Sequence, residues 1–236
     1  MLTDGRTWIW YHVIAITWQK EVDKRMGIKN PLAHVQRLMR VDKPGQEGAG
    51  QGRVPPGQYL TERFPVLHYG SVPRFDGDTW DFRIWGLVER EKRWTFEEFR
   101  ALPTIEIVAD IHCVTRWSKL DTRWEGVSTR EVLSHVQVKP EARFVLVHAD
   151  QGFTANLPLA DFLREENLFA WRYDGQDLSP AHGWPLRLVV PSLYFWKSAK
   201  WVRRLEVVGP DVPGFWERNG YHMYGDPFKE QRYWGD

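Results

Sequence analysis

The sequence contains one cysteine, Cys113. A lone cysteine excludes an internal disulfide framework and any multi-cysteine zinc site, and it fits a reducing compartment. A charge excess is also missing, since 32 basic residues stand against 31 acidic ones. No surplus is available to neutralise a phosphate backbone, so no nucleic-acid partner is expected. A few local Arg and Lys side chains still suffice for one small polyanion. Long hydrophobic runs are absent. The apolar segment WIWYHVIAITW at 8–18 is shorter than the ~20 residues a membrane-spanning helix needs. It has a poor basic lead-in and no small-residue cleavage site, and there is no twin-arginine signal. The expectation is a cytoplasmic chain with no integral membrane segment. Internal repeats and a glycine-rich strand–loop–helix phosphate loop are lacking too.

What is present is a chain of 236 residues with 42% apolar content and 14 tryptophans. That length permits one sizeable core with a deep pocket. Indole rings thicken a core, and some line ligand cavities.

The chain divides by composition. Residues 1–41 form an N-terminal extension with two helical apolar patterns, through Val13, Ile14, Trp18 and Val22 and through Leu32, Val35, Leu38 and Met39. Residues 42–57 follow, including KPGQEGAGQGRVPPG with five glycines and three prolines. Such a stretch buries too little surface to offset chain entropy and reads as a linker. Residues 58–236 read as one domain. Thr95 with Glu98, and Ser128 with Glu131, are capping-box patterns that start short helices, the first running to Leu102. Apolar alternation in IEIVADI predicts a strand that ends at His112 and Cys113, with the polar KLDTR opening a loop. RFVLVHAD, PLRLVVP and KWVRRLEVV read as further strands, and Leu157 to Arg164 as a helix. LFAWRY followed by Asp174-Gly175 predicts a hairpin. Without a βαβ rhythm the fold class is α+β with mixed sheets.

Three segments carry chemistry. Cys113 stands at a strand end, with His112, Arg116 and Arg123 near it in sequence. Positive neighbours favour the thiolate, the form that attacks electrophiles and binds soft metals. A small buried apolar residue is the plainer alternative, and a Cys–His nucleophile is another. In AHGWPLRLVVPSLYFWKSAKW at 181–201, His182, Arg187, Ser198 and Lys200 offer a phosphate clamp. A solvated basic loop is the alternative there. In ERFPVLHYGSVP, His68 sits between bends and reads as a ligand contact or a core histidine.

FPVLHYGSVP, DIHCVTRWS, HGWPLRLVVP and WKSAKWV, in that order, resemble the molybdopterin-dependent oxidoreductases of the sulfite oxidase family. The similarity is greatest to small haem-free bacterial members, among them the catalytic subunit of periplasmic protein-methionine-sulfoxide reductase. The tail PGFWERNGYHMYGDPF resembles an uncharacterised branch of that family. The resemblance covers about 55–234. It implies a sulfite-oxidase molybdopterin-binding fold and a molybdenum–molybdopterin (Mo-MPT) cofactor. Cys113 then supplies a thiolate to the metal. Leu67 and His68, Ala149 through its backbone, His182, Arg187, Ser198, Ala199 and Lys200 match cofactor contacts. Arg116, Trp117 and Tyr194, with Trp196, are candidates for the wall of the pocket. The implied activity is two-electron oxygen-atom transfer on a small S- or N-oxide, served by an electron-transfer partner such as a cytochrome or other haem protein. Two departures leave the substrate open. VTRWS replaces the arginine-rich stretch of sulfite-oxidising members, and the export signal of the reductase branch is not found. The competing readings are a Cys/His hydrolase or transferase and a non-enzymatic aromatic-rich binding module.

Overall fold

The computed structural model describes residues 52–236, so the helical patterns expected within 1–41 lie outside the described residues. The end of the expected linker belongs to the domain. Arg53 reaches Asp110 at 2.6 and 2.9 Å and Asp121 at 2.6 Å, and Pro55 is buried.

Two mixed sheets face each other. The first contains β1 (Tyr59–Leu60), β4 (Thr104–His112), β5 (Trp117–Ser128), β8 (Leu168–Tyr173), β9 (Gln176–Asp177) and β10 (Arg187–Val189). Its main path is β1-β5-β8-β10, with β4 on β5 and β9 on β8. The second runs β3 (Lys92–Thr95), β2 (Asp81–Gly86), β11 (Val202–Val208), β6 (Phe144–Ala149) and β7 (Thr154–Pro158). β1 is parallel to β5, and β2 to β11; the other pairs are antiparallel. The core fills the space between the sheets with Phe82, Ile84 and Leu205 from one and Val127, Phe169 and Leu188 from the other.

Short helices close the layers. α1 (Phe96–Arg100) begins with the expected capping box, both reciprocal bonds between Thr95 and Glu98 being formed. α2 (Thr129–Ser134) is capped by Ser128, whose hydroxyl accepts the Glu131 N–H. α3 is only Leu159–Phe162, and α4 is Phe215–Arg218. The expected helix from Leu157 to Arg164 is thus shorter at both ends. Leu157 is drawn into β7, where it pairs with Val145 of β6.

The polar KLDTR stretch does not open a loop. It forms part of β5, the second arm of a β4–β5 hairpin whose turn occupies only 113–116. Polar residues suit this strand because its positions alternate between solvent and core. A bulge interrupts the hairpin: Leu120 and Asp121 of β5 stand opposite Asp110 of β4. Asp121 adopts a positive φ of 54°, and its N–H donates to Asp110 Oδ1 at 3.0 Å.

Candidate active site

The hairpin tip presents the cysteine. Arg116 N–H donates to Cys113 O and Cys113 N–H to Trp117 O, both at 2.9 Å. Arg116 has φ 70°, so the 113–116 turn is closed by a left-handed residue. Its side chain is exposed and has no polar partner among the described residues. From the segment before β1, Gln58 Nε2 holds Cys113 O at 3.1 Å, and Tyr59 N–H donates to Arg116 O at 2.8 Å.

The sulfur is buried and receives a hydrogen bond from Thr115 Oγ1 at 3.2 Å. Burial pushes the thiol up, while the Thr115 hydrogen bond and the charge of Lys200 oppose that shift. The expected positive neighbours, Arg116 and Arg123, do not supply the opposing charge. Arg123 instead lies across the hairpin against Glu106 at 3.6 Å. Sequence distance misled because the cation that matters arrives from the start of another strand.

That cation belongs to a second loop. Arg187, on β10, is fully buried. Its Nη1 donates to His182 O at 2.8 Å and its Nη2 to Ser198 O at 3.1 Å, while Nε has no partner. The guanidinium lies 4.4 Å from the Phe195 ring centroid, 5.5 Å from Trp124 and 5.7 Å from Phe64. No carboxylate compensates it among the described residues, and burial alone pushes it down to about 9. Lys200 Nζ donates to Ala181 O at 2.6 Å. Burial and then the neighbouring Arg187 push this ammonium down to about 7, with the Cys113 sulfur opposing. Two cations thus share a desolvated site without a counter-charge, an arrangement that costs free energy unless an anion joins it.

The backbone completes the arrangement. The N–H groups of Lys200 and Trp201 donate to no backbone group among the described residues, and Trp201 has φ 55°. Successive free N–H groups around a left-handed residue form an anion-binding concavity. Gly183 lets the chain lie flat over it. A Cβ at that position would meet Arg187 Cβ at 3.0 Å and Lys200 Cβ at 3.3 Å. Ser198 contributes structure, its Oγ accepting Val190 N–H at 2.9 Å. Ala199 is buried beside it.

His182 is fixed by Ser179 Oγ at its Nδ1 (2.9 Å) and by Phe64 O at its Nε2 (3.1 Å). It stacks on the Phe64 ring at 4.2 Å. Burial, chiefly, pushes this imidazole down. His68 is exposed and reaches the loop edge-on through Trp201, ring centroids 5.5 Å apart; Leu67 beside it is half-buried. Ala149 ends β6 opposite Val202, and its N–H is engaged by Phe153 O at 2.9 Å.

The expected wall residues behave differently from one another. Trp117 is buried with no partner for its indole N–H. Tyr194 is fully buried, its ring stacked on Trp196 and its hydroxyl aimed at Pro227 O at 3.5 Å. Tyr194 and Trp196 therefore support the wall from behind. Trp196 Nε1 donates to Glu217 Oε1 at 2.8 Å. Glu217 forms a buried ion pair with Lys197 at 2.6 Å, and Lys197 also donates to Met223 O at 2.6 Å. These bonds tie the C-terminal tail across the loop. The tail brings Tyr221, a buried side chain whose ring meets Trp196 edge-on, centroids 5.1 Å apart, and whose hydroxyl is pushed up by burial. Phe64, Thr115, Gln58 and Tyr221 all escaped the sequence reading. Phe64, Thr115 and Tyr221 had a local signal, because they stand inside motif segments, and Gln58 had none.

Residues and cofactor chemistry fit. No group of three or more His, Cys, Asp or Glu side chains able to hold an ion occurs among the described residues. A metal at Cys113 therefore needs most of its ligands from an organic group. An anionic organic ligand would in turn satisfy the Arg187, Lys200 and backbone donors.

Comparison with known proteins agrees. The family described as "Oxidoreductase molybdopterin binding domain" matches residues 69–216. The chain is 50% identical over 186 residues to "Uncharacterized oxidoreductase YuiH" of Bacillus subtilis, covering 78% of this chain and 94% of that protein. It is 29% identical to "Putative protein-methionine-sulfoxide reductase subunit YedZ1" of Azospira oryzae, covering 72% of this chain and 66% of that one. To sulfite oxidase of Gallus gallus it is 27% identical, over 71% of this chain and 44% of that enzyme. Among solved structures, the sulfane dehydrogenase SoxCD from Paracoccus pantotrophus superposes with a TM-score of 0.57 at 22% identity. That match covers 65% of this chain and 43% of that one, a likeness of fold. No helix among the described residues is long and apolar enough to cross a membrane. The chain thus belongs to the oxidoreductase molybdopterin-binding family and is a sulfite oxidase-like, molybdopterin-dependent enzyme.

Proposed function

We propose that this enzyme transfers one oxygen atom, with two electrons, to or from a small S- or N-oxide, with Cys113 as its only protein ligand to molybdenum. The observation that carries the site assignment is the buried Arg187, its Nε without a partner and no carboxylate against it among the described residues, with the half-buried Lys200 beside it, whose charge acts on Cys113. In this reading Arg187 and Lys200 bind the cofactor phosphate, with the backbone N–H groups of Lys200 and Trp201. Ser198 and Ala199 shape that turn. His182, Leu67, His68 and the backbone of Ala149 bound the pterin. Trp117 offers its unpartnered N–H to the bound ligand. Arg116, exposed at the hairpin tip, is free to meet a substrate.

The bound molybdenum supplies the oxygen-atom exchange and stores the electron pair. The protein contributes the thiolate, fixes the cofactor phosphate and keeps bulk water from the sulfur. One relative bears the name "Putative protein-methionine-sulfoxide reductase subunit YedZ1" and another the name "Sulfite oxidase". Both names describe exchange of one oxygen at sulfur, which supports a sulfoxide or sulfite as substrate. A separate carrier protein, a cytochrome or other haem protein, would exchange the electrons with the bound metal. A Cys–His hydrolase is less well supported, because no imidazole hydrogen-bonds the Cys113 sulfur among the described residues. His112 turns to Ser118 Oγ instead, at 2.9 Å.

The test is elemental analysis of protein from a cofactor-competent host, followed by a dye-coupled screen of sulfoxides, N-oxides and sulfite. About one molybdenum per chain is expected, lost in Cys113→Ala. Metal-free wild-type protein from such a host would sink the reading.

A further inference from the structure

We propose that Thr115 tunes the reduction potential of the metal centre through its hydrogen bond to the Cys113 sulfur. The inference rests on the assignment of Cys113 as the molybdenum ligand made above.

The hydroxyl stands 3.2 Å from Sγ and has no other hydrogen-bond partner among the described residues. Its position is built rather than incidental. Thr115 is the third residue of the closed 113–116 turn, whose backbone bonds of 2.9 Å fold it back over the residue two before it. Gln58 Nε2 at 3.1 Å and Tyr59 N–H at 2.8 Å clamp the same turn from the segment that leads into β1. A β-branched side chain has few rotamers to escape into. The turn therefore sets one side-chain donor against the sulfur, and substitution of Thr115 removes it.

The consequence follows from electron density. A hydrogen bond to a thiolate withdraws charge that the sulfur would otherwise give to the metal. Less donation stabilises the lower oxidation state and raises the potential. Thr115 is a positioning residue in this sense, because it acts on the metal only through sulfur.

The experiment uses holoenzyme from a cofactor-competent host: wild type, Thr115→Val, Thr115→Ser and Cys113→Ser. Molybdenum content, the energy of the sulfur-to-metal charge-transfer band, and a mediator titration followed by the paramagnetic metal signal are measured. Valine preserves shape and removes the donor. Thr115→Val is expected to keep its metal and to move the band to lower energy. Its one-electron equilibrium should shift severalfold toward the oxidised metal, tenfold corresponding to 59 mV. Thr115→Ser should stay close to wild type in both readouts. Equal bands and potentials in metal-loaded wild type and Thr115→Val overturn the proposal and leave the ligand assignment standing. Loss of metal from Thr115→Val alone also overturns it, since the hydroxyl would then serve loading rather than tuning. Metal-free wild type, or an unchanged charge-transfer band in Cys113→Ser, removes the ligand assignment and the proposal with it.

Discussion

Replacing Arg187 by methionine separates the cost of a buried cation from its use. In the ligand-free protein burial pushes the guanidinium down to about 9. At about 1.4 kcal/mol per pH unit, the gap from an ordinary arginine is a cost of about 5 kcal/mol. The folded value is depressed, so the cost is fully present below pH 9 and fades only above it. Opposing it are the two bonds to His182 O and Ser198 O, each contributing about 1.5–3 kcal/mol. The two sides nearly cancel. Methionine fills the volume without charge, so cofactor-free Arg187→Met is expected within about 2 kcal/mol of wild type. That is a melting shift of at most about 4–8 °C. Sulfate, whose charge is constant near neutrality, stands in for the cofactor phosphate. At 100 times its Kd it adds about 2.7 kcal/mol, or about 5–11 °C in wild type. Arg187→Met should keep only the general salt effect that every protein shows. Thermal melts of the cofactor-free proteins across a sulfate series read both quantities. The same sulfate response in both proteins would refute the anion site. A loss above about 4 kcal/mol without sulfate would make Arg187 a structural cation instead.

Lys200, held near 7 by burial and Arg187, is charged below that pH and neutral above it. Sulfate stabilisation should therefore weaken from pH 6 to 8 in wild type and be smaller and flat in Lys200→Met, as read in the same melts. Lys197→Met leaves Glu217 buried without its partner and is expected to cost about 3–5 kcal/mol in urea unfolding; a change under 1 kcal/mol would contradict the ion pair. At the hairpin tip, Arg116→Gly should be tolerated in stability. Arg116→Val should cost about 1–2 kcal/mol, because a β-branched residue resists a left-handed backbone.

Local signals in the sequence were reliable where the physics is local. The capping box at Thr95 and Glu98 formed because both partners lie within one turn. Asp174 and Gly175 made the β8–β9 turn with φ values of 47° and 77°, the conformations that such a tight turn requires. The extent of β5 was not legible, because pairing with β4 on one side and β8 on the other overrides the polarity of KLDTR. The site divides the same way. The 182–200 segment carries its histidine, arginine and lysine close together in sequence and could be read directly. Phe64 meets His182 only across 118 positions, and Tyr221 meets Trp196 only because the tail folds back. Contacts of that kind leave no periodicity to detect.

The extra residue in β5 decides where two indoles go. Trp117 and Trp124 are seven positions apart, an odd number that an unbroken strand would send to opposite faces. Instead both rings meet Phe64, at 6.4 and 5.7 Å, and Phe195, at 6.2 and 6.1 Å. The doubled step at Leu120 and Asp121 restores parity and puts both on the side where Arg187 lies. Deleting one residue there would leave the composition almost untouched, yet it would rotate Trp117 out of the aromatic box. The shape of this aromatic box is thus a matter of counting as much as of chemistry.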